Sequence, residues 1–440
     1  MVSESRRGSR IVRTAALMVA LAGVSSVSAG WVARDAGSNQ EKSNRTKIVA
    51  QLPRELSHAR MRADLRAFER IADRSGGDRA AGTAGYRASV DHVRAGLKQA
   101  GYAPRVVDFP FVEFRELVER GRQLTAPART LQIEALEYSP STPRGGIRHR
   151  VVAAGDGCEL GDFDDVLGSI AIVVRGKCFF AAKAQNAAKA GAVALIVFNT
   201  EPGRFDGTLG DPQASTIPVA GIDGRTGREL AAPGNPVVEL ELVTRHQRST
   251  SQNVIADNNP RARRVLLVGA HLDSIREGPG INDNATGVAA LLEIARVVRA
   301  GYPQLSVRFA FWGAEELGLF GSRAYAENVD RRRIVGYLNF DVLGSPSPER
   351  AVYKGGPFAA RWLEYFERRG LRTREIDVGG RSDHYPFEQI GIPTGGLFAG
   401  GYPCYHRACD RTSNIDLAVL DELSAAAAFG IASFAPMVKG

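Results

Sequence analysis

The sequence predicts an α/β protein in which an open, mostly parallel mixed sheet is sandwiched by helices and interrupted by a β-rich insertion. Two observations predict this fold. From residue 253 onward, short apolar runs alternate with segments of helical periodicity, which is typical of buried strands connected by helices. Between residues 128 and 245, short alternating or apolar runs are separated by glycine and proline. At 440 residues the chain is also long for one core, which favours two domains.

The first 29 residues have the pattern of a secretory signal peptide. Four arginines precede the apolar stretch Ala15–Val24, and Val27 and Ala29 stand at the positions of small residues before a cleavage site after Ala29. The stretch is shorter than the roughly 20 residues that span a bilayer, so we expect no stable membrane insertion. Residues 30–47 are polar and are interpreted as a linker or short propeptide. We therefore expect a secreted protein.

Helical periodicity then runs from Leu52 to Gly101 and is broken at Gly76-Gly77. Within the insertion, four runs predict strands and the alanine-rich segment Ala181–Ala190 predicts a helix. These strands are expected at Leu131–Leu136, Ile170–Val174, Ala192–Phe198 and Val237–Val243.

The last part of the chain repeats a strand–loop–helix pattern, and its apolar runs suit strands that are buried on both faces. We expect strands at Val265–Gly269, Val307–Trp312, Tyr337–Val342 and Thr394–Phe398. Helices are expected at Gly287–Ala300, Pro357–Arg369 and Ile415–Ala435. We expect the N-terminal helices to pack on the same sheet.

Charge and cysteine content limit the partners and the compartment. The net charge is +9, but four arginines and one glutamate in the first 29 residues contribute +3, and no long basic block follows. We therefore expect no nucleic-acid partner. The four cysteines lie in two local pairs, Cys158 with Cys178 and Cys404 with Cys409. In an exported protein such pairs favour disulfides, and neither spacing supplies the CxxC pairs of a four-cysteine zinc site.

Polar residues gather at the ends of the predicted strands of the last part and in the loops that follow them, where open α/β sheets bind their ligands. They are His271, Asp273, Asp283, Glu315, Glu316, Asp341 and His406. Taken singly, each has an ordinary explanation: a surface HxD, acids at a helix N-terminus, or a turn-forming aspartate. These explanations do not account for the concentration of acids and histidines at strand ends. Two zinc ions about 3.5–4 Å apart require such nitrogen and oxygen ligands.

Two stretches of sequence resemble known families. The segment GSIAIVVRGKCFFAAKAQNAAKAGAVALIVFN, residues 168–199, resembles the protease-associated domain, which implies an accessory module over residues 128–245. The motifs HLDS, GPGINDNATG, FWGAEELGLFGS, NFDVLGS, GRSDHYPF and CYHRACD resemble, in order, those of the secreted bacterial leucine aminopeptidase family. That similarity covers roughly residues 48–125 and 250–438 and implies a catalytic domain formed by residues 48–127 and 246–440.

The second resemblance implies an enzyme that uses two zinc ions per chain to remove N-terminal, apolar residues from peptides with a free N-terminus. In it, Asp283 would bridge both ions. His271 and Asp341 would complete one zinc site, and Glu316 and His406 the other.

The remaining roles carried over by motif concern proton transfer and substrate binding. Glu315 would take a proton from the water between the metals and pass it to the leaving amine. Asp273 would accept the remaining N–H of the His271 imidazole and fix its tautomer. Tyr405 would donate a hydrogen bond to the developing oxyanion, and Arg381 matches a position near the substrate.

Several alternatives stay open at this point. A zinc carboxypeptidase or dipeptidase of the same fold would need a basic cluster for the substrate carboxylate, and only Arg381 lies near a motif. A single-zinc cyclase or a metal-free, receptor-like relative would lack part of the ligand set, which is complete here. Asp383 and His384 are equally consistent with a structural role. The glycine-rich segment before CYH is shorter than is common in the family, so the sequence does not determine the shape of the side-chain pocket or the side chain it prefers.

Overall fold

A fourteen-stranded mixed sheet forms the framework of the protein. The computed structural model describes residues 42–200, 203, 207–346 and 350–437, so the signal-peptide pattern lies outside the described residues. Residues Ile48–Gly440 form one compact unit. The predicted fold class, an open mixed sheet with helices and a β-rich insertion, is confirmed.

Four neighbouring parallel strands form the centre of the catalytic half, in the order β14, β11, β9, β10. Their bounds are Val265–His271 for β9, Val307–Trp312 for β10, Ile334–Phe340 for β11 and Thr394–Phe398 for β14. All four coincide closely with predicted strands. Strands β12 (Arg350–Tyr353) and β13 (Thr373–Ile376), which extend the sheet beyond β14, were not predicted. Each has only four residues, and β13 contains no buried residue, so neither gives a clear periodic signal.

Helices cover both faces of this half, as expected. Their bounds are His58–Arg74 (α1), Ala84–Gln99 (α2), Thr286–Gly301 (α5), Phe320–Asn328 (α6), Ala359–Glu367 (α7), Tyr385–Gln389 (α8) and Leu417–Phe434 (α9). The first two begin at the N-caps Ser57 and Thr83, whose side chains accept backbone N–H groups of the first turn. One core cluster joins α1, α2, α5, α7 and α9 to the sheet, and another packs α6 and α8 on the opposite face.

Among the described residues, Leu417–Phe434 is the helix that is long and apolar enough to cross a membrane by length and composition. Its residues Leu420, Leu423 and Ile431 are fully buried in the core, which indicates a core helix of a folded domain.

The insertion contains its own parallel strands. Strands β4 (Ile147–Ala153), β5 (Ile170–Val174), β6 (Ala194–Phe198) and β7 (Val219–Ile222) lie side by side. The short strands β2 and β3 span Arg129–Leu131 and Ile133–Ala135, and the helices α3 and α4 span Phe180–Lys189 and Gly224–Ala231. A separate hydrophobic core fills this half. The predicted disulfide Cys158–Cys178 is present beside it.

A long antiparallel ribbon joins the two halves. It consists of β1 (Arg105–Gln123) and β8 (Val237–Asp257), paired along almost their full length. One end of β8 pairs with β4 of the insertion and the other end pairs with β10 of the catalytic half. The sequence predicted only Val237–Val243 of this ribbon, because its charged, alternating segments lack the apolar runs of buried strands.

Candidate metal centre

Two histidines and three carboxylates meet at the carboxyl ends of the parallel strands. His271 is the last residue of β9, Asp341 follows β11, and Glu316 follows β10 by four residues. The Nε2 atom of His271 lies 3.0 Å from one oxygen of Asp283 and 3.2 Å from an oxygen of Asp341. The Nε2 atom of His406 lies 3.5 Å from the other oxygen of Asp283 and 3.1 Å from an oxygen of Glu316. Asp283 therefore faces one histidine with each of its oxygens.

The turn after β10 carries both adjacent glutamates. Asp273, fully buried two residues after His271, accepts the backbone N–H of Glu315 at 3.2 Å and that of Glu316 at 3.3 Å. The Nδ1 atom of His271 lies 3.2 Å from the backbone oxygen of Asp273 and 3.8 Å from its carboxylate. Asp273 thus contacts the imidazole as expected, but through its carbonyl first, and its carboxylate orients the glutamate turn.

The loop that carries Asp283 is held by hydrogen bonds from distant parts of the chain. Asp410 accepts the backbone N–H groups of Asn282 and Asp283, at 2.8 Å and 3.1 Å, and the hydroxyl of Tyr402 at 2.9 Å. The amide side chain of Asn284 donates to the carbonyl of Phe340 at 2.9 Å. These bonds tie the loop to the end of β11 and to the loop containing His406.

Arg79 lies behind the centre with none of its surface exposed. Its guanidinium donates to the carbonyl oxygens of Leu272, Pro279 and Gly280, at 2.5, 2.8 and 2.6 Å. Burial lowers its pKa to about 10, against the opposing effect of nearby carboxylates, so the guanidinium stays charged at neutral pH. The Arg79 guanidinium therefore provides a buried positive charge beside a region that is rich in acids.

The loop that carries His406 is closed by the second predicted disulfide, Cys404–Cys409. His406 has a positive φ of 54°, which non-glycine residues adopt rarely. The ring of Tyr405 stacks on that of His406 at a centroid distance of 3.9 Å, and half of Tyr405 is exposed. Tyr405 therefore lies at the mouth of the centre.

The electrostatics show an excess of buried negative charge. Burial raises the pKa of Glu316 to about 7, and the neighbouring Asp283 carboxylate adds to this effect. Burial also raises the pKa of Glu315 well above its usual value, helped by Asp383. Burial opposes charging of His406, but the Glu316 carboxylate outweighs it and raises the pKa to about 11. In the absence of a cation, the closely packed acids therefore favour protonation, either of their own carboxyl groups or of the neighbouring histidines. A bound cation would remove this need for protons.

The donor set fits metal ions. Zinc bonds of 2.0–2.2 Å in a tetrahedral arrangement place ligand atoms about 3.3 Å apart, close to the 3.0–3.5 Å spacings around Asp283. Two triads could each hold an ion: His271 with Asp283 and Glu316, and His271 with Glu315 and Asp341. Buried Glu316 Oε1 has no hydrogen-bond partner, although such atoms normally have one. Nitrogen and carboxylate ligands without thiolate suit zinc.

Residues of the GRSDHYPF motif lie beside the cluster. Ser382 donates a hydrogen bond of 2.7 Å to Asp341, and Asp383 is almost fully buried with neither carboxylate oxygen hydrogen-bonded. Arg381 is exposed, and its guanidinium donates to the carbonyls of Val378 and Asp377 in its own loop. The structure therefore brings the seven strand-end residues and Tyr405 together, and leaves Arg381 at the rim.

This cluster on an open α/β sheet defines a metal-dependent hydrolase. The sequence pattern of peptidase family M28 matches residues 253–430, and that of the PA domain matches residues 147–230. Over nearly its whole length the chain is also similar to curated relatives, so it belongs to peptidase family M28, with an inserted PA domain.

Individual relatives agree with this assignment. The chain is 36% identical to the probable lipoprotein aminopeptidase LpqL of Mycobacterium tuberculosis, over 90% of this chain and 88% of that protein. It is 36% identical to an aminopeptidase of Pseudomonas aeruginosa, over 86% and 81%. The aminopeptidase from Aneurinibacillus sp. strain AM-1 superposes with a TM-score of 0.77 at 28% identity, covering 89% of this chain and 97% of that one. The zinc aminopeptidase BSAP from Bacillus subtilis gives 0.65 at 25%, over 87% and 96%. The predicted class, a metallo-aminopeptidase, is confirmed.

Three residues that support the centre escaped the sequence analysis. Asp410 ends the motif CYHRACD and Asn284 lies in GPGINDNATG, so their motif membership was a usable signal. Arg79 carried no such signal, because a buried arginine is indistinguishable from a surface one until the fold places it.

Proposed function

We propose that the protein is an exported, two-zinc aminopeptidase whose metal ions are bridged by Asp283. The proposal rests on one observation: the two carboxylate oxygens of Asp283 face different histidines, His271 and His406. His271 and Asp341 would hold one ion, and Glu316 and His406 the other. Zinc bound here would polarise the scissile carbonyl and lower the pKa of an attacking water toward about 7.

Glu315 is proposed as the general base. One of its carboxylate oxygens lies 4.0 Å from the Nε2 atom of His271, farther than the oxygens of Asp283 and Asp341, so it is placed beside the ligands. Glu315 would take a proton from the attacking water while the water oxygen bonds to the carbonyl carbon. It would return that proton to the amine when the carbon–nitrogen bond breaks. The Tyr405 hydroxyl would donate to the developing oxyanion.

The acids of the centre also support exopeptidase specificity. Asp341 and Glu315, whose carboxylates both face His271, would bind the free ammonium group of a substrate, which an acylated N-terminus lacks. Arg381, one residue before Ser382, would contact the substrate from the rim. We propose an apolar N-terminal residue as the preferred one, in keeping with the names of the leucine aminopeptidase relatives from Trichophyton.

We infer export from two features. The first 29 residues have the signal-peptide pattern, and the two disulfides are typical of oxidising compartments. Of the domain limits proposed from the sequence, 128–245 for the insertion and 48–127 with 246–440 for the catalytic domain, the one after residue 245 falls within β8 and the one after residue 127 falls between β1 and β2.

The test is hydrolysis of leucine 4-nitroanilide and its N-acetyl counterpart by protein that begins near residue 48, combined with zinc analysis. We expect about two zinc ions per chain and cleavage of the free-amine substrate alone. Equal cleavage of both substrates would contradict the exopeptidase proposal. Two zinc ions with neither substrate cleaved would favour a carboxypeptidase, and a metal-free chain would favour a receptor-like protein.

A further inference from the structure

The turn that carries Glu315 and Glu316 is tightly wound. The backbone N–H groups of Gly318 and Leu319 both donate to the carbonyl of Glu315 at 2.9 Å. Ala314 and Leu319, which flank the turn, have positive φ angles of 54° and 62°. Non-glycine residues in this conformation are held by their surroundings and are common at functional sites. The position of both glutamates therefore depends on what anchors this turn.

One anchor comes from the catalytic half. Asp273 accepts the N–H groups at the start of the turn through both carboxylate oxygens.

The other anchor comes from the insertion. The hydroxyl of Tyr138 donates to the carbonyl of Leu317, the residue after Glu316, at 2.6 Å. The same hydroxyl lies 3.1 Å from the carbonyl of Val112 in β1. With one proton, its main bond is the shorter one. Its ring also packs against Phe320 at a centroid distance of 6.1 Å.

Tyr138 is itself held rigidly. It is fully buried in the core of the insertion and has a positive φ of 67°. Its ring contacts Phe114 and His246 on the two strands of the ribbon, at 5.8 and 6.2 Å. Burial, together with the neighbouring Glu137 carboxylate, raises the pKa of Tyr138 well above its usual value, so the hydroxyl remains a donor at working pH.

We propose that Tyr138 is a positioning residue of the active site, through which the insertion holds the Glu315–Glu316 turn in its reactive geometry. The inference rests on the proposed function, because it assumes that these two glutamates act in catalysis. It gives the inserted domain a part in turnover itself, in addition to any part in admitting substrate. A displacement of about 1 Å at such a turn is enough to lower the rate without preventing binding.

The test is Tyr138→Phe, which keeps the ring and removes the hydroxyl. The matched control is Tyr102→Phe, since the Tyr102 hydroxyl also donates to a buried carbonyl, that of Ala295 at 2.8 Å, in a core that does not touch the turn. We expect kcat on leucine 4-nitroanilide to fall about tenfold in Tyr138→Phe, with KM changed less than about twofold. Zinc content should stay as in the wild type, and Tyr102→Phe should keep the wild-type kcat.

Thermal unfolding separates positioning from stability. Each variant loses one buried hydrogen bond, so the melting temperature should fall by a similar amount in both. Equal kcat values in the two variants would overturn the inference. Phe320→Leu, which removes ring packing but leaves the hydroxyl bond, should retain most of the activity; an equal loss in this variant would also overturn it. A wild-type chain that does not cleave the anilide would instead refute the proposed function.

Discussion

The catalytic half and the insertion both present the carboxyl ends of parallel strands, yet among the described residues the groups that could hold a metal lie only at those of the catalytic half. In the catalytic half, the residues at and after those ends include His271, Glu316 and Asp341. In the insertion, strands β4, β5 and β6 are followed by Ala154-Gly155, Arg175-Gly176 and Asn199-Thr200. An open cavity of about 580 Å³ borders these ends, lined mainly by apolar side chains with Asp156, Lys177 and Arg228.

This difference shows that the strand arrangement determines where a site can form, whereas the residues at the strand ends determine which reaction the site can support. Among the described residues, the groups able to hold a metal all lie in the catalytic half. The insertion instead contributes packing and, through Tyr138, one hydrogen bond to the glutamate turn. Experiments can therefore test whether changes in the catalytic half affect activity while most changes in the insertion affect stability.

The largest effect is expected on removing metal. Treatment with a strong chelator should abolish hydrolysis of leucine 4-nitroanilide, and added zinc should restore it, since the chemistry depends on the charge of the bound ions. The activity assay before and after zinc addition checks this. Full activity in demonstrably zinc-free protein would contradict a catalytic metal centre in this half.

The next largest effect is expected on replacing Glu315, the proposed general base. Glu315→Gln should lower kcat by about 10²–10⁴-fold, because proton transfer is lost while the ligands remain. Metal analysis should show unchanged zinc content. Glu239→Gln, which removes only a surface ion pair with Arg148 in the insertion, should behave as wild type. Loss of zinc in Glu315→Gln would mean that Glu315 is a ligand and that the proposed division of roles is wrong.

The two disulfides offer a direct comparison between the halves. Replacing Cys404 and Cys409 by alanine should lower kcat, because this bridge encloses Tyr405 and His406. Replacing Cys158 and Cys178 should leave kcat nearly unchanged but destabilise the insertion by about 2–4 kcal/mol, as its bridge closes the longer loop. Activity assays and thermal unfolding check both. The reverse pattern would show that the insertion's disulfide, and not the ligand loop, controls turnover.

The smallest effect concerns a single half-buried acid of the insertion, Glu137. Burial raises the pKa of Glu137 to about 7, above its ordinary 4.5, against the opposing effect of hydrogen bonds from Thr208 and Tyr138. Its neutral form is therefore favoured by folding, so this stability is complete below pH 4.5 and is lost as the pH rises through about 7.

Glu137→Gln should consequently melt a few degrees higher than wild type above pH 7, with the difference disappearing near pH 4. Melting curves across this pH range measure it. A variant that becomes less stable at high pH would show that the carboxylate of Glu137 is paired in the folded protein.

Much of the centre could be predicted because several of its acids and histidines follow apolar runs that clearly predict buried strands. His271 and Asp341 are examples, since β9 and β11 are buried almost throughout. The ribbon could not be predicted to its full length, because its strands alternate with charges such as Glu116 and Arg248. Arg79 and Tyr138 could not be predicted either, since they donate to backbone carbonyls that lie 200 and 179 residues away in sequence. Such contacts leave no local pattern.

The central claim is that Asp283 bridges two zinc ions, and anomalous diffraction at the zinc edge from zinc-loaded crystals tests it most directly. We predict two peaks about 3.5–4 Å apart. One should lie within bonding distance of His271 and Asp341, the other within bonding distance of Glu316 and His406, and both next to Asp283. A single peak, or two peaks without Asp283 between them, would contradict the claim.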